Sequence, residues 1–193
     1  SANIATLIGH LFSDWSDNFS TQFKIASTTQ ATGQDSLNGA EFPSMAVFLR
    51  EVDGDENYLV FGPDRFRHGN QLDQDFFQVK FVAEYSLGDH SIKAGIEREE
   101  VDVNNLFAQN SEGSYVFDSV ADLQNATASG LLYNNAVTND ENDLRAIWGY
   151  DYTSVYIQDS WNARSDIEID FGVRYDRYAS NGSIRENSNF VER

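Results

Sequence analysis

The sequence has no cysteine among its 193 residues. That removes disulfide frameworks, thiolate metal centres and thiol nucleophiles from consideration. Positive charge is also scarce: 13 Lys and Arg stand against 31 Asp and Glu, a formal net charge of −18. A surface of that sign repels phosphate, so nucleic acid is not expected as a partner. No apolar run approaches the ~20 residues that a membrane-spanning helix needs. The N-terminus lacks a basic start followed by an apolar stretch and a small-residue cleavage site. Gly-rich phosphate loops, a nucleophile elbow and a basic aromatic stripe are missing as well. The three histidines, His10, His68 and His90, lie far apart without a pairing at helical or strand spacing. Surface roles are expected for them. Catalytic residues, cofactor and metal site are all expected to be none, and the chain is expected not to be an enzyme.

Aromatic residues, by contrast, are plentiful. Fourteen Phe and nine Tyr are too many for a disordered polyanion, so the chain is expected to fold.

The dominant pattern is alternation of apolar and polar residues, the signature of a strand with two unlike faces. It is clearest from Asp166 to Asp176, where Ile167, Ile169, Phe171, Val173 and Tyr175 share one parity and Asp166, Glu168, Asp170, Arg174 and Asp176 the other. A strand over about 150–161 precedes it across the turn 162–165. There Val155, Ile157 and Trp161 oppose Tyr156, Gln158 and Ser160, and Asp159 interrupts the apolar parity near the turn. The segment 75–100 repeats the design. Phe77, Val79, Phe81, Ala83 and Tyr85 alternate with Gln78, Lys80, Val82 and Glu84; after a turn at 87–89, Ile92, Ala94 and Ile96 alternate with Lys93, Gly95 and Glu97. Phe19, Thr21, Phe23 and Ile25 alternate after a turn at 14–18, whereas residues 3–12 carry apolar side chains on both parities.

The connections are unequal. Tight turns at 14–18, 87–89 and 162–165 alternate with long polar stretches at about 28–73 and 106–149, inside which short strands are expected at 45–50 and 57–61. Long loops without structure are uncommon in compact soluble domains. Short turns on one side and long loops on the other suit a transmembrane β-barrel with periplasmic turns and extracellular loops. Trp15, Tyr85 and Trp161 beside the tight turns, and Trp148, Tyr150 and Tyr152 towards the other end, fit interfacial girdles. The fold expected is all-β: an antiparallel meander of about six long strands forming part of a large transmembrane barrel.

The stretch Leu87-Gly88-Asp89-His90-Ser91-Ile92-Lys93-Ala94-Gly95-Ile96-Glu97, followed by Asn105-Leu106-Phe107, resembles the barrel of Oar-like TonB-dependent receptors. The run 113–123, Gly-Ser-Tyr-Val-Phe-Asp-Ser-Val-Ala-Asp-Leu, is similar to that group's loop motif. Tyr156-Ile157-Gln158-Asp159-Ser160-Trp161 with Phe171-Gly172-Val173-Arg174-Tyr175-Asp176 is similar to its barrel hairpin. The resemblance covers about residues 76–178. It implies a plugged transporter barrel in the outer membrane of a Gram-negative bacterium, of the 22-stranded type. Its partners would be outer-membrane lipid, a plug domain and an energy-coupling protein of the full-length receptor, neither of them in this chain, and a transported substrate whose identity the sequence does not give. Six strands cannot close such a barrel. With no plug, no coupling box and no terminal aromatic strand in the ending 189–193, the chain reads as an internal fragment.

On this reading Phe77, Val79, Phe81, Ile92, Ile96, Val155, Ile157, Ile167, Ile169, Phe171 and Val173 face lipid. Lys80, Glu84, Lys93, Glu97, Tyr156, Gln158, Glu168, Asp170 and Arg174 face the lumen, where polar side chains serve to meet water or plug. The acidic run Asp53-Gly54-Asp55-Glu56-Asn57 lacks the ligand spacing of a calcium loop and reads as a solvated hairpin tip, and 139–143 as a hydrated loop. The alternative function is a surface-exposed β-rich binding or adhesion protein whose acidic loops attract cations. A glycan-acting enzyme with paired carboxylates is a further class, although no pair of acids stands out. The destination of the apolar faces discriminates: lipid in a barrel, a second sheet in a sandwich.

Overall fold

The structure, a computed structural model, describes residues 1–34, 36, 37 and 39–182. The expected absence of a terminal aromatic strand at 189–193 lies outside them. Among the described residues ten strands run in the order β1 (Ala2–Ser16), β2 (Phe19–Gly33), β3 (Ser44–Val52), β4 (Asp55–Phe61), β5 (Asn70–Leu87), β6 (His90–Phe107), β7 (Ser114–Phe117), β8 (Gly130–Leu132), β9 (Ala146–Arg164) and β10 (Ile167–Ser180). One short helix, α1 (Val120–Gln124), follows β7, and a 3₁₀ turn spans Glu141–Leu144.

Six of the strands form one meander in the order β1-β2-β5-β6-β9-β10, each beside its neighbour in sequence once the long connections are passed over. The fold is the expected all-β antiparallel meander. Its three tight connections are two-residue turns, at 17–18, 88–89 and 165–166. Strands β5 and β6 run 18 residues each, against the 9–11 that a tilted membrane strand needs.

The other four strands, β4-β3-β7-β8, make a separate small sheet inside the long connections. β3 pairs antiparallel with β4, Met45 opposite Phe61, and parallel with β7, Met45 opposite Tyr115. The hairpin expected around 45–61 is thus present. Its tip is a turn at Asp53 and Gly54, both with positive φ (55° and 89°), the geometry that short acidic or glycine residues tolerate. The connections between meander strands come down to 34–69 and 108–145, shorter than the 28–73 and 106–149 read from the sequence. The reason is that the apolar parity does not continue to the strand ends: residues 70–75 of β5 are polar but for Leu72, and in β6 the apolar residues change parity at Val101 and Val103.

The chain divides into two compact units. One holds residues 4–30, 74–103 and 147–193, the other 1–3, 31–73 and 104–146. In the second unit the side chains of Val47, Leu106, Ala108, Phe117 and His68 are all buried. Helix α1 is fixed there by its N-cap: Ser119 Oγ accepts from the Asp122 amide at 3.0 Å and donates to the Asp122 carboxylate at 2.5 Å.

Candidate functional site

In the meander unit the two parities end up in unlike surroundings. Register brings like to like: in the β9–β10 hairpin, Val173 pairs with Ile157, Arg174 with Tyr156, and Asp170 with Ser160. A bulge next to Ile167 separates it from Glu168, so Ile167 pairs with Arg164 and leaves the regular row. The apolar rows stay open. Phe77, Phe81, Ile96, Val155, Ile157, Ile167, Ile169, Phe171 and Val173 are all exposed, up to 72% for Val173, while Val79 and Ile92 are half-exposed. Among the described residues of this unit no second layer covers these rows, which is where a sandwich would bury them.

The polar parity is tied together instead. Glu97 meets Lys80 at 3.6 Å and Gln78 at 2.7 Å; Glu84 meets Lys93 at 2.7 Å; Gln78 also reaches Glu99 at 2.7 Å. Half-exposed pairs of this kind each contribute about 1 kcal/mol or less. Their value lies in pinning cross-strand register. The Arg174 guanidinium stands 5.8 Å from the Tyr156 ring centroid, donates to Asp176 at 2.9 Å and bonds the Tyr152 hydroxyl. Ser160 bonds Asp170 on the same face. Lys80, Tyr156, Gln158, Asp170 and Arg174, five of the residues expected to face the lumen, line one hollow of about 680 Å³, together with Ile157, Phe171 and Val173 of the apolar parity. Glu84, Lys93 and Glu97 sit on the same parity but outside it, and Glu168 lies near the tight turn, exposed.

Asp159, an acid on the apolar parity of β9, is not left to water. Its carboxylate meets His90 Nδ1 at 2.6 Å, and the His90 ring stacks on Trp161 at 5.5 Å with the planes 5° apart. The sequence gives no sign of this pair, because the partners are 69 positions apart.

The unit built from the long connections holds a second hollow, of about 630 Å³, whose walls include Gln71, Asp73, Glu141 and Arg145. Arg145 spans three segments: its Nη2 donates to Gln71 at 2.7 Å, its Nε to Asn142 at 3.1 Å and its Nη1 to Asn104 at 3.4 Å. Glu141 accepts from Ser111 Oγ at 2.6 Å, and Asp73 accepts from Gln71 Nε2 at 3.2 Å. Of these residues the sequence marked only Glu141 and Asn142, within the run 139–143 read as a hydrated loop.

His68, expected at the surface, is completely buried in this unit, and neither ring nitrogen has a hydrogen-bond partner. Desolvation holds its pKa below the ordinary 6.5, outweighing the opposite pull of the Glu112 and Glu141 carboxylates. At the acidic hairpin tip Glu56 accepts from Tyr58 at 2.8 Å, which raises the phenol's pKa. Among the described residues no group of three or more His, Asp or Glu is placed to hold a metal ion. Among the described residues no helix is long and apolar enough to cross a membrane, which has no bearing on strands.

Searches among curated proteins and among solved structures gave no match. A family profile described as an outer membrane beta barrel domain matches residues 5–192, from within β1 to beyond β10. An open apolar row backed by a cross-linked polar row is what such a wall requires, and with nearly its whole length matched the chain belongs to the outer membrane beta barrel domain family.

Proposed function

We propose that this outer-membrane chain is part of the wall and of the substrate-facing extracellular loops of a TonB-dependent transporter of the Oar-like kind, working in a Gram-negative bacterium. The open apolar rows then contact outer-membrane lipid. The polar face, with its hollow at Lys80, Tyr156, Gln158, Asp170 and Arg174, borders the lumen and whatever plug domain fills it. Energy arrives through a coupling protein that engages the full-length receptor outside the present residues, and the chain performs no covalent chemistry.

The carrying observation is the contrast between the two strand faces. One is oily and open, the other hydrated, charged and tied across strands. The folded unit in the long connections supports the same reading, because a surface for capturing a substrate needs fixed polar groups rather than loose loops. The order of the motifs over 76–178 favours the Oar-like kind among barrels.

An uptake measurement separates transport from the alternative of a surface-binding or adhesion protein. Cells producing the full-length receptor are given fluorescently labelled small solutes of several classes, oligosaccharides and metal chelates as well as peptides, with and without an uncoupler of the proton gradient. Accumulation that the uncoupler abolishes is expected. Label that remains at the surface and ignores the uncoupler would favour the adhesion reading.

A further inference from the structure

Arg145 differs from the other arginines of the described residues. It alone is not exposed; Arg50, Arg65, Arg67, Arg98, Arg164, Arg174 and Arg177 all are. Among the described residues no carboxylate lies within ion-pair distance of it, whereas Arg67, Arg98, Arg164 and Arg174 each have one. Its guanidinium is held by three neutral amide oxygens, from Gln71, Asn104 and Asn142. Neutral acceptors fix the fork in place and leave its charge uncancelled. In a chain of net charge −18, a half-buried cation without a counter-ion, on the wall of a hollow, is a pre-organised receptor for an anionic group.

The same wall carries acids. Asp73 is kept apart from Arg145 by Gln71, whose Nε2 donates to the acid while its Oε1 accepts from the arginine. Glu141 is held by Ser111. A simple anion would be opposed by these carboxylates and by the field of the whole chain. A molecule that carries a carboxylate and an ammonium at once has no such difficulty, because each end meets its opposite and the net charge is zero.

We propose that this hollow binds short zwitterionic peptides, the terminal carboxylate on Arg145 and the terminal ammonium at Asp73 and Glu141. This deepens the transport reading by naming a substrate class for the loops. Binding to purified protein is independent of uptake. Failure here leaves energy-driven accumulation as it was measured, and failure of accumulation leaves this binding intact.

The full-length receptor in detergent or nanodiscs is titrated calorimetrically with trialanine, trialanine amide and N-acetyltrialanine. Trialanine is expected to bind, with the amide about tenfold weaker for loss of one charged contact and the acetylated form weaker as well. Arg145→Gln should bind trialanine and its amide equally, and Arg145→Lys should keep part of the preference. Absence of heat with trialanine at millimolar concentration, equal binding of trialanine and its amide to the unaltered protein, or a preference retained in Arg145→Gln would each overturn the proposal. The comparison of peptides on the unaltered protein decides the matter even if a variant does not fold.

Discussion

The ring of Tyr156 fills the place where Gly95 would carry a side chain: a Cβ built there lies 2.5 Å from Cε1 and 2.7 Å from the hydroxyl oxygen. The two residues stand on neighbouring strands, β6 and β9, on the polar face, and the ring covers backbone that a bare glycine would leave open. Gly95→Ala should therefore displace the ring and destabilise the barrel by about 1–3 kcal/mol. The urea midpoint of the folded protein in lipid measures it, and Tyr156→Ala should remove most of the penalty in the double variant. Additive losses would mean that the ring and the glycine are independent.

The two rows of β10 should answer oppositely to charge. Val173→Arg puts a guanidinium on the open apolar row, at a cost of about 2–4 kcal/mol if the site is near the middle of the bilayer. Asp170→Asn, on the other row, should change stability by less than about 1 kcal/mol. The natural absence of cysteine allows a direct check. A single cysteine at 173 should react with a lipid-soluble maleimide, and one at 174 with a water-soluble one; the reverse pattern would invert the assignment of faces.

Buried, unpartnered His68 makes the loop unit sensitive to acid. Its folded pKa lies below 6.5, so as pH falls through about 6.5 the unfolded segment takes up a proton that the folded one refuses. Stability of this unit should be complete above that value, decline as pH drops, and level off only below the depressed folded value. Hydrogen exchange of 104–117, corrected for intrinsic rates, should be faster at pH 5 than at pH 7.5. In His68→Leu that difference should shrink; an unchanged difference would place the proton elsewhere.

Ser119 caps α1, a helix of only five residues. Ser119→Ala should cost about 1 kcal/mol locally. Faster exchange at Asp122–Asn125, with the meander amides unaffected, is the expected signature.

The meander was readable because each strand carries its own period: the parity of Phe77 to Tyr85, or of Ile167 to Tyr175, is a local property. Strand ends were not, since residues 70–75 of β5 are polar but for Leu72 and in β6 the apolar parity changes from Ile92, Ala94 and Ile96 to the buried Val101 and Val103, so no single period runs to the end. The β3–β4 hairpin announced itself through Asp53-Gly54. The hollow around Arg145 could not, because it depends on Gln71 and Arg145 meeting across 74 positions. For His68 the sequence offered only a lone histidine in a polar connection. Its burial follows from how that connection folds, and nothing at positions 66–70 signals it.

Among the described residues β1 and β10 each have a neighbour on one side only. Hydrocarbon offers no donor or acceptor to such a margin, so no hairpin of this wall can settle in the membrane alone. Folding and insertion must succeed or fail for the complete ring at once, and damage to a single stave is felt by all of them.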